Sequence, residues 1–252
     1  MMRSRSARLS AFIAAAVLLL CPALASCSSP AAVGPAPVPM PDHPQWQSDA
    51  QLGTWKDGGF DVFNNEWNSS QAGFQRIWAN SFGVWGVESR QLPSTSVKTY
   101  PCVQRNYKSP ALTSVTKLTS TFAESMPAAS ADYQAEAAYD IWLDKYKVEV
   151  MIWMDNHGRI PAGNVLTRVR IQGQKFTIWQ DGPNMFSFVL SGGPEPSGQV
   201  NLLSFLNWLL NHRFLSRSDT MTQVNFGWEI ASTGGTPLNF SMQSYSLSSG
   251  IA

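Results

Sequence analysis

The sequence predicts an all-β domain, a sandwich or barrel of short strands with one helix packed outside it. Three observations lead there. The apolar stretches are short and broken by Gly, Pro, Asn and Ser. Several of them alternate with a period of two, as half-buried strands do. Only one segment carries a helical apolar stripe, which argues against repeated βαβ units.

Taken in order, the strand candidates are 59–64, 73–79, 83–88 and 112–118, then 135–143, 147–154, 165–171, 174–180 and 185–190, and finally 222–230 and 238–247. Within 147–154, alternation puts Val148, Val150, Ile152 and Met154 on one face, an ordinary core face. Glu149, Met151 and Trp153 share the other. An acid beside a thioether and an indole suits the wall of a sugar-binding cleft, and a buried Glu without a partner or purpose is costly. The segment 222–230 repeats the pattern, with Glu229 in an apolar, aromatic strand. The helix is expected over 198–213, where Leu202, Leu203, Phe205, Leu206, Leu209 and Leu210 form one apolar face. His212 reads as a helix-end residue.

Ahead of the domain lies a targeting segment, assigned to residues 1–26. Arg3, Arg5 and Arg8 precede an apolar stretch over 9–20 that is too short, and too soon followed by Pro22, for a spanning helix. Leu24-Ala25-Ser26-Cys27 looks like a bacterial lipobox, making Cys27 the lipidation site; ordinary cleavage near Ala23 or Ala25 is the alternative. Either reading exports the protein, to the cell surface as a lipoprotein or in secreted form. Residues 27–49 read as a Ser/Pro/Ala-rich tether, and 50–252 as one domain of about 200 residues with a substantial core. With Cys21 and Cys27 accounted for, Cys102 stands alone and no disulfide framework is expected.

The formal charge of +1, without a basic run, argues against a nucleic-acid partner. His43, His157 and His212 are isolated, so no metal and no cofactor is expected. A membrane is reached only through the N-terminal lipid, and a monomer is expected. All 10 Trp lie beyond the targeting segment, a load that favours stacking on sugar rings. Trp67, Trp85, Trp142, Trp153 and Trp228 are candidate platforms, with core filling the alternative for each.

Glu149 and Glu229 together suggest an acid/base pair. Glycosidic cleavage needs two carboxyls, because leaving-group protonation and attack at the anomeric carbon come from different sides. The alternative is two carboxylates at edges or bulges that merely reach solvent. Asp140 is another acid in an apolar strand. It is placed to assist Glu149 if their strands are neighbours, and is otherwise a solvent-facing residue. Asn64-Asn65-Glu66-Trp67 joins amides to an indole, suited to hydroxyl binding and ring stacking or to an Asn-rich turn. The run 159–163 reads as a loop at a cleft rim.

At these residues the chain resembles glycoside hydrolase family 12, the small jelly-roll endoglucanases. The marks are Asn64-Asn65-x-Trp67, Val97-Lys98-Thr99-Tyr100-Pro101, Tyr139-Asp140-Ile141-Trp142, Glu149-Val150-Met151-Ile152-Trp153, Pro161-Ala162-Gly163, Asn201-Leu202-Leu203-x-Phe205-Leu206 and Phe226-Gly227-x-Glu229. They run in order from about residue 53 to 247. The resemblance implies a concanavalin-like jelly roll of two packed antiparallel sheets with one external helix, and a glucan cleft on the concave sheet. It implies Glu149 as nucleophile, Glu229 as general acid/base and Asp140 as the acid assisting the nucleophile. Asn65, Trp67, Met151, Trp153 and Pro161 would contact substrate. Asn68 and Glu66 depart from the family pattern at the cleft edge, Trp228 sets a bulky residue beside Glu229, and the frequent N-terminal disulfide is missing.

The activity implied is that of a retaining endo-β-1,4-glucanase acting on cellulose-like or mixed-linkage β-glucan, with a carboxyl separation of about 5–5.5 Å. Two alternatives stand beside it: a xyloglucan-specific endoglucanase, and a non-catalytic, lectin-like carbohydrate-binding sandwich, since one fold class hosts both enzymes and binders.

Overall fold

Two β-sheets close on a shared apolar interior in the computed structural model, which describes residues 35–68, 70–130 and 132–252. The targeting segment 1–26, Cys27 and the tether up to residue 34 lie outside the described residues. In chain order the elements are β1 (Trp46–Ser48), β2 (Thr54–Asp57), β3 (Phe60–Phe63), β4 (Phe74–Ser81), β5 (Val84–Arg90), β6 (Cys102–Asn106), a 3-10 turn at Leu112–Ser114, β7 (Val115–Ser125), β8 (Tyr133–Leu143), β9 (Val148–His157), β10 (Asn164–Ile171), β11 (Gln174–Asp181), β12 (Met185–Leu190), β13 (Ser197–Asn201), α1 (Leu203–Asn211), β14 (Met221–Thr233) and β15 (Leu238–Ile251). One sheet has the order β1-β4-β5-β15-β7-β13, the other β10-β11-β12-β9-β8-β14-β6-β3-β2. Pairing is antiparallel throughout except between β12 and β9. This is the two-sheet jelly-roll sandwich with one external helix.

The three central strands of the larger sheet carry the alternation that the sequence shows. Tyr139 and Ile141 of β8, Val150 and Ile152 of β9, and Phe226 and Trp228 of β14 are fully buried in the interior. Aromatic rings fill the space between the sheets: Trp85 meets Trp228 at 4.8 Å, and Phe226 lies 4.3 Å from Tyr139. Trp85 and Trp228 are therefore core residues and not sugar platforms. On β14 the period-2 rule already separates Trp228 from Glu229.

Other elements differ from expectation for local reasons. β1 falls inside the stretch read as tether; Trp46 is drawn in by stacking on Trp55 at 6.4 Å. β2 and β6 were not expected, being short and largely polar on one face. The first turns of the expected helix are instead β13, an edge strand along β7 in which Val200 alone is buried. The helix proper starts after Leu202 and docks Phe205 against Phe176 and Phe188. His212 is its C-terminal cap residue, as read.

A carboxyl group is sealed into this core. Glu124 of β7 is buried and accepts a hydrogen bond from Trp228 Nε1 at 2.9 Å. Burial, reinforced by Asp155 and opposed by that bond, pushes its carboxyl from the ordinary 4.5 to about 8. The folded state thus keeps a proton that the unfolded chain releases above about pH 4.5. The stability this group contributes is full below that point and lost as pH rises toward about 8. Glu124→Gln keeps an acceptor for the indole and cannot ionise. Its urea midpoint is expected to gain on the wild type between pH 5 and pH 8, by a margin on the order of a few kcal/mol in unfolding free energy. Parallel midpoint-versus-pH curves for the two proteins would refute this.

Candidate active site

The outward residues of β8, β9 and β14 make one acidic surface. β8 lies between the other two strands, so its outward acids reach both neighbours. Antiparallel register sets Trp142 opposite Glu149 and Asp140 opposite Met151 on β9, and sets Asp140 opposite Asn225 and Glu136 opposite Glu229 on β14. Glu149, Glu229 and Asp140 all line a single cleft of about 940 Å³, together with Asn65, Trp67, Trp142, Met151 and Trp153. The structure thus brings together acids separated by 80 residues of chain.

Each outward Glu is set against a more deeply buried acid of β8. Asp140 lies within hydrogen-bonding reach of Glu149, and Glu136, opposite Glu229 in the register, within reach of Glu229. Burial, then the nearby Glu229, lifts Glu149 from 4.5 to about 7, while the Asp140 bond opposes the rise. Asp140 itself is held well above the usual range by burial and by repulsion from Glu149 and Glu229.

The floor and rim are built separately. Met151 and Trp153 pack with Ala138, Met185 and Val189 into a small apolar cluster beneath the acids. The Tyr100 hydroxyl donates to the Ala138 carbonyl at 3.0 Å, tying the floor to the loop before β6. Trp67 is 56% exposed and offers its ring to the cleft. Its loop is fixed by Asn64, a fully buried residue whose amide donates to Ala50 O and Glu66 Oε1 and accepts from Gln75 Nε2. Asn64 and Glu66 are thereby scaffold, and Asn65, in left-handed backbone at φ 44°, is the amide left to face the cleft.

A bulge in β9 shapes the opposite rim. Ala137 pairs with Asp155 but Ala138 with Trp153, so Met154 is the extra residue. Beyond it Asn156 bonds the backbone of Arg159 in both directions at 3.0 Å. That turn lowers the Arg159 side chain onto Glu136 at 2.8 Å, with Glu229 3.9 Å away. Pro161, expected to touch substrate, is buried and is not a lining residue; its neighbours Arg159 and Ala162 line the cleft instead.

Residues 58–249 match the model of Glycosyl hydrolase family 12. The chain belongs to that family. This glycoside hydrolase is 28% identical over 211 residues to a xyloglucan-specific endo-β-1,4-glucanase A of Emericella nidulans, covering 76% of this chain and 86% of the other. The xyloglucanase domain of NopAA, a type three effector from Sinorhizobium fredii, is 25% identical and superposes with a TM-score of 0.74 over 82% of this chain and 100% of its own. Endoglucanase 3 of Trichoderma harzianum shares the fold at 22% identity, with a TM-score of 0.70 over 81% of this chain and 97% of its own.

Sequence reasoning missed several residues of the hydrolase cleft and the buried acid beneath it. Glu136 was within reach: it stands four before Asp140, on the same face of a strand with period two. Gln104, Gln223, Asn225 and Tyr146 line the cleft without any signal stronger than a polar or aromatic residue near a strand end.

Gly227 makes the close packing beneath Glu229 possible. A methyl group there would overlap the Pro101 carbonyl and come within 2.7 Å of Cys102 Cα, on the strand paired with it. Gly227→Ala is expected to push β14 away from β6 and displace Glu229, two residues on. A fall in kcat/KM of about 10²-fold is expected, the usual cost of an ångström-scale misplacement. Wild-type kinetics in the folded variant would refute it.

Proposed function

We propose that this family 12 hydrolase cleaves internal β-1,4-glucosidic bonds of xyloglucan with retention of anomeric configuration. The observation that carries the mechanism is the pair Glu149 and Glu229, on the two strands flanking β8 and facing one cleft. Glu149, ionised, attacks the anomeric carbon while Glu229 gives its proton to the leaving oxygen. Glu229 then takes a proton from water as that water releases the sugar from the glycosyl-enzyme. Asp140, within hydrogen-bonding reach, holds Glu149 in line. Trp67 and Trp153 supply apolar faces for pyranose rings, and Asn65 an amide for hydroxyls.

Two considerations favour xyloglucan over cellulose-like or mixed-linkage chains. The Emericella nidulans and Sinorhizobium fredii relatives are both named for it. A branched polymer also needs room and polar partners beside the backbone. Here Ser96, Gln104, Ala162, Gln223 and Asn225 line the cleft with small or amide side chains. A binding-only role does not suit four carboxyls packed at the cost of so much repulsion.

We further propose that the enzyme is exported and held by lipid at Cys27, which suits a substrate too large to enter a cell. Cys27→Ser should abolish incorporation of labelled palmitate; incorporation that persists rules out this site.

Reducing-sugar release from tamarind-type xyloglucan, barley-type β-glucan and carboxymethylcellulose tests the activity. The highest kcat/KM is expected on xyloglucan, with losses of about 10²–10⁴-fold or more in Glu149→Gln and Glu229→Gln. NMR of the first product should show the β-anomer. An α-anomer first, or full activity in either variant, would sink the mechanism, and preference for an unbranched glucan would sink the substrate assignment.

A further inference from the structure

Glu136 has no part in the double displacement, yet it occupies the most shielded position at the site. It is fully buried on β8, directly opposite Glu229. Its Oε2 accepts from Arg159 Nε at 2.8 Å, and Arg159 Nη2 lies 3.9 Å from Glu229 Oε2. Its Oε1 is buried with no partner among the described residues, and Glu229, opposite it on β14 and sharing Arg159 with it, is the carboxyl within its reach. Two ionised carboxylates are both acceptors, so a bond between them requires a proton. Arg159 cannot supply it, because a guanidinium does not deprotonate in a protein.

We propose that Glu136 and Arg159 are positioning residues that set the proton affinity of Glu229, the two glutamates holding one proton in common and Arg159 carrying the counter-charge. The inference rests on Glu229 being the acid/base. In the first step that proton leaves through Glu229 to the glycosidic oxygen. In the second, a proton from the attacking water returns to Glu229, and the pair is restored with no net change at Glu136.

The arrangement serves an acid that must stay protonated near neutrality. Removing the shared proton leaves two like charges in contact, so the pair holds it to higher pH than a lone Glu would. Burial and the neighbouring Glu229 drive Glu136 well above the usual carboxylate range, with Arg159 opposing. The other groups facing Glu229 act in known directions. Glu149 from β9 repels its charge when ionised, while Asp140 from β8 and Tyr100 keep their protons because burial raises both well above their ordinary values. Arg159, on the loop after β9, is the cation at this end of the cleft among the described residues.

The test is the pH profile of kcat/KM on xyloglucan for the wild type, Glu136→Gln, Arg159→Gln and the double variant. In Glu136→Gln the like charge is gone and Arg159 faces Glu229 alone, so the alkaline limb should move down by about one pH unit or more. In Arg159→Gln it should move up by a similar amount, and in the double variant it should return toward the wild type. A purely structural role would lower kcat or Tm and leave the limb in place. Limbs that stay put, or that shift the same way in both single variants, overturn the proposal. Arg159 sits on a loop, so its variant decides the matter even if Glu136→Gln fails to fold. Glu229→Gln, run in parallel, separates the two ideas. If it is inactive while the limbs stay fixed, only the role of Glu136 and Arg159 falls; if it is active, the acid/base assignment falls with them.

Discussion

Four carboxyl groups on one face of three adjacent strands are the constraint that the rest of this structure serves. Glu229 sits close enough to raise the proton affinity of Glu136, Asp140 and Glu149, and Glu136 and Asp140 are almost wholly removed from water. Such a cluster repels itself unless protons or cations offset the charge. It persists because the backbone beneath it is held by hydrogen bonds along the length of both interfaces, β8–β9 and β8–β14. The inner faces of the same strands are packed with Tyr139, Phe226 and Trp228. The apolar core therefore acts on the site by fixing strand positions that the acids alone would push apart.

The loops complete what the sheet begins. The Met154 bulge reverses the facing of β9 after Trp153, so Asp155 turns toward the interior, where it raises Glu124, and Asn156 organises the turn that delivers Arg159. On the other side Gln75, Asn64 and Thr99 form a buried polar knot at the base of the Trp67 loop. Both rims are thus set by hydrogen bonds local to the sheet ends, which keeps exposed groups such as Trp67 in place without burying them.

What was legible in the sequence follows strand length and contrast. β8, β9 and β14 are long and strongly alternating, so their core faces and the shared outward face of Glu149, Met151 and Trp153 could be read directly. β2, β6 and β13 are short and polar; β2 exists by its tight hairpin with β3, while β6 and β13 depend on partners far away in the chain, such as Cys102 against Gly227 or Ser197 against Ala123. Periodicity cannot report a partner. For Trp85 and Trp228 the sequence left two readings open, sugar platform or core. The residue type suggested sugar stacking, while the alternation around each placed it inside; the period was the better guide. Pro161 was carried over from the family pattern, yet in this chain the loop turns the proline inward and Arg159 toward the cleft.

The distribution of charge around the two pairs is unequal, and on the proposed mechanism that inequality has a use. Arg159 lies against the Glu136–Glu229 pair, whereas among the described residues no cation contributes to the shifts of Asp140 or Glu149. Before attack, the negative charge of Glu149 repels any charge on Glu229, while burial keeps the proton on Asp140. Once Glu149 has become a neutral ester, that repulsion weakens while the pull of Arg159 remains, and Glu229 is then better kept as a carboxylate. Loss of the Glu149 charge thereby eases the change of Glu229 from acid to base. A cation placed symmetrically between the pairs would favour ionised Glu229 from the start and blunt the change. The single arginine on the Glu229 side is the arrangement under which both roles fall to one residue.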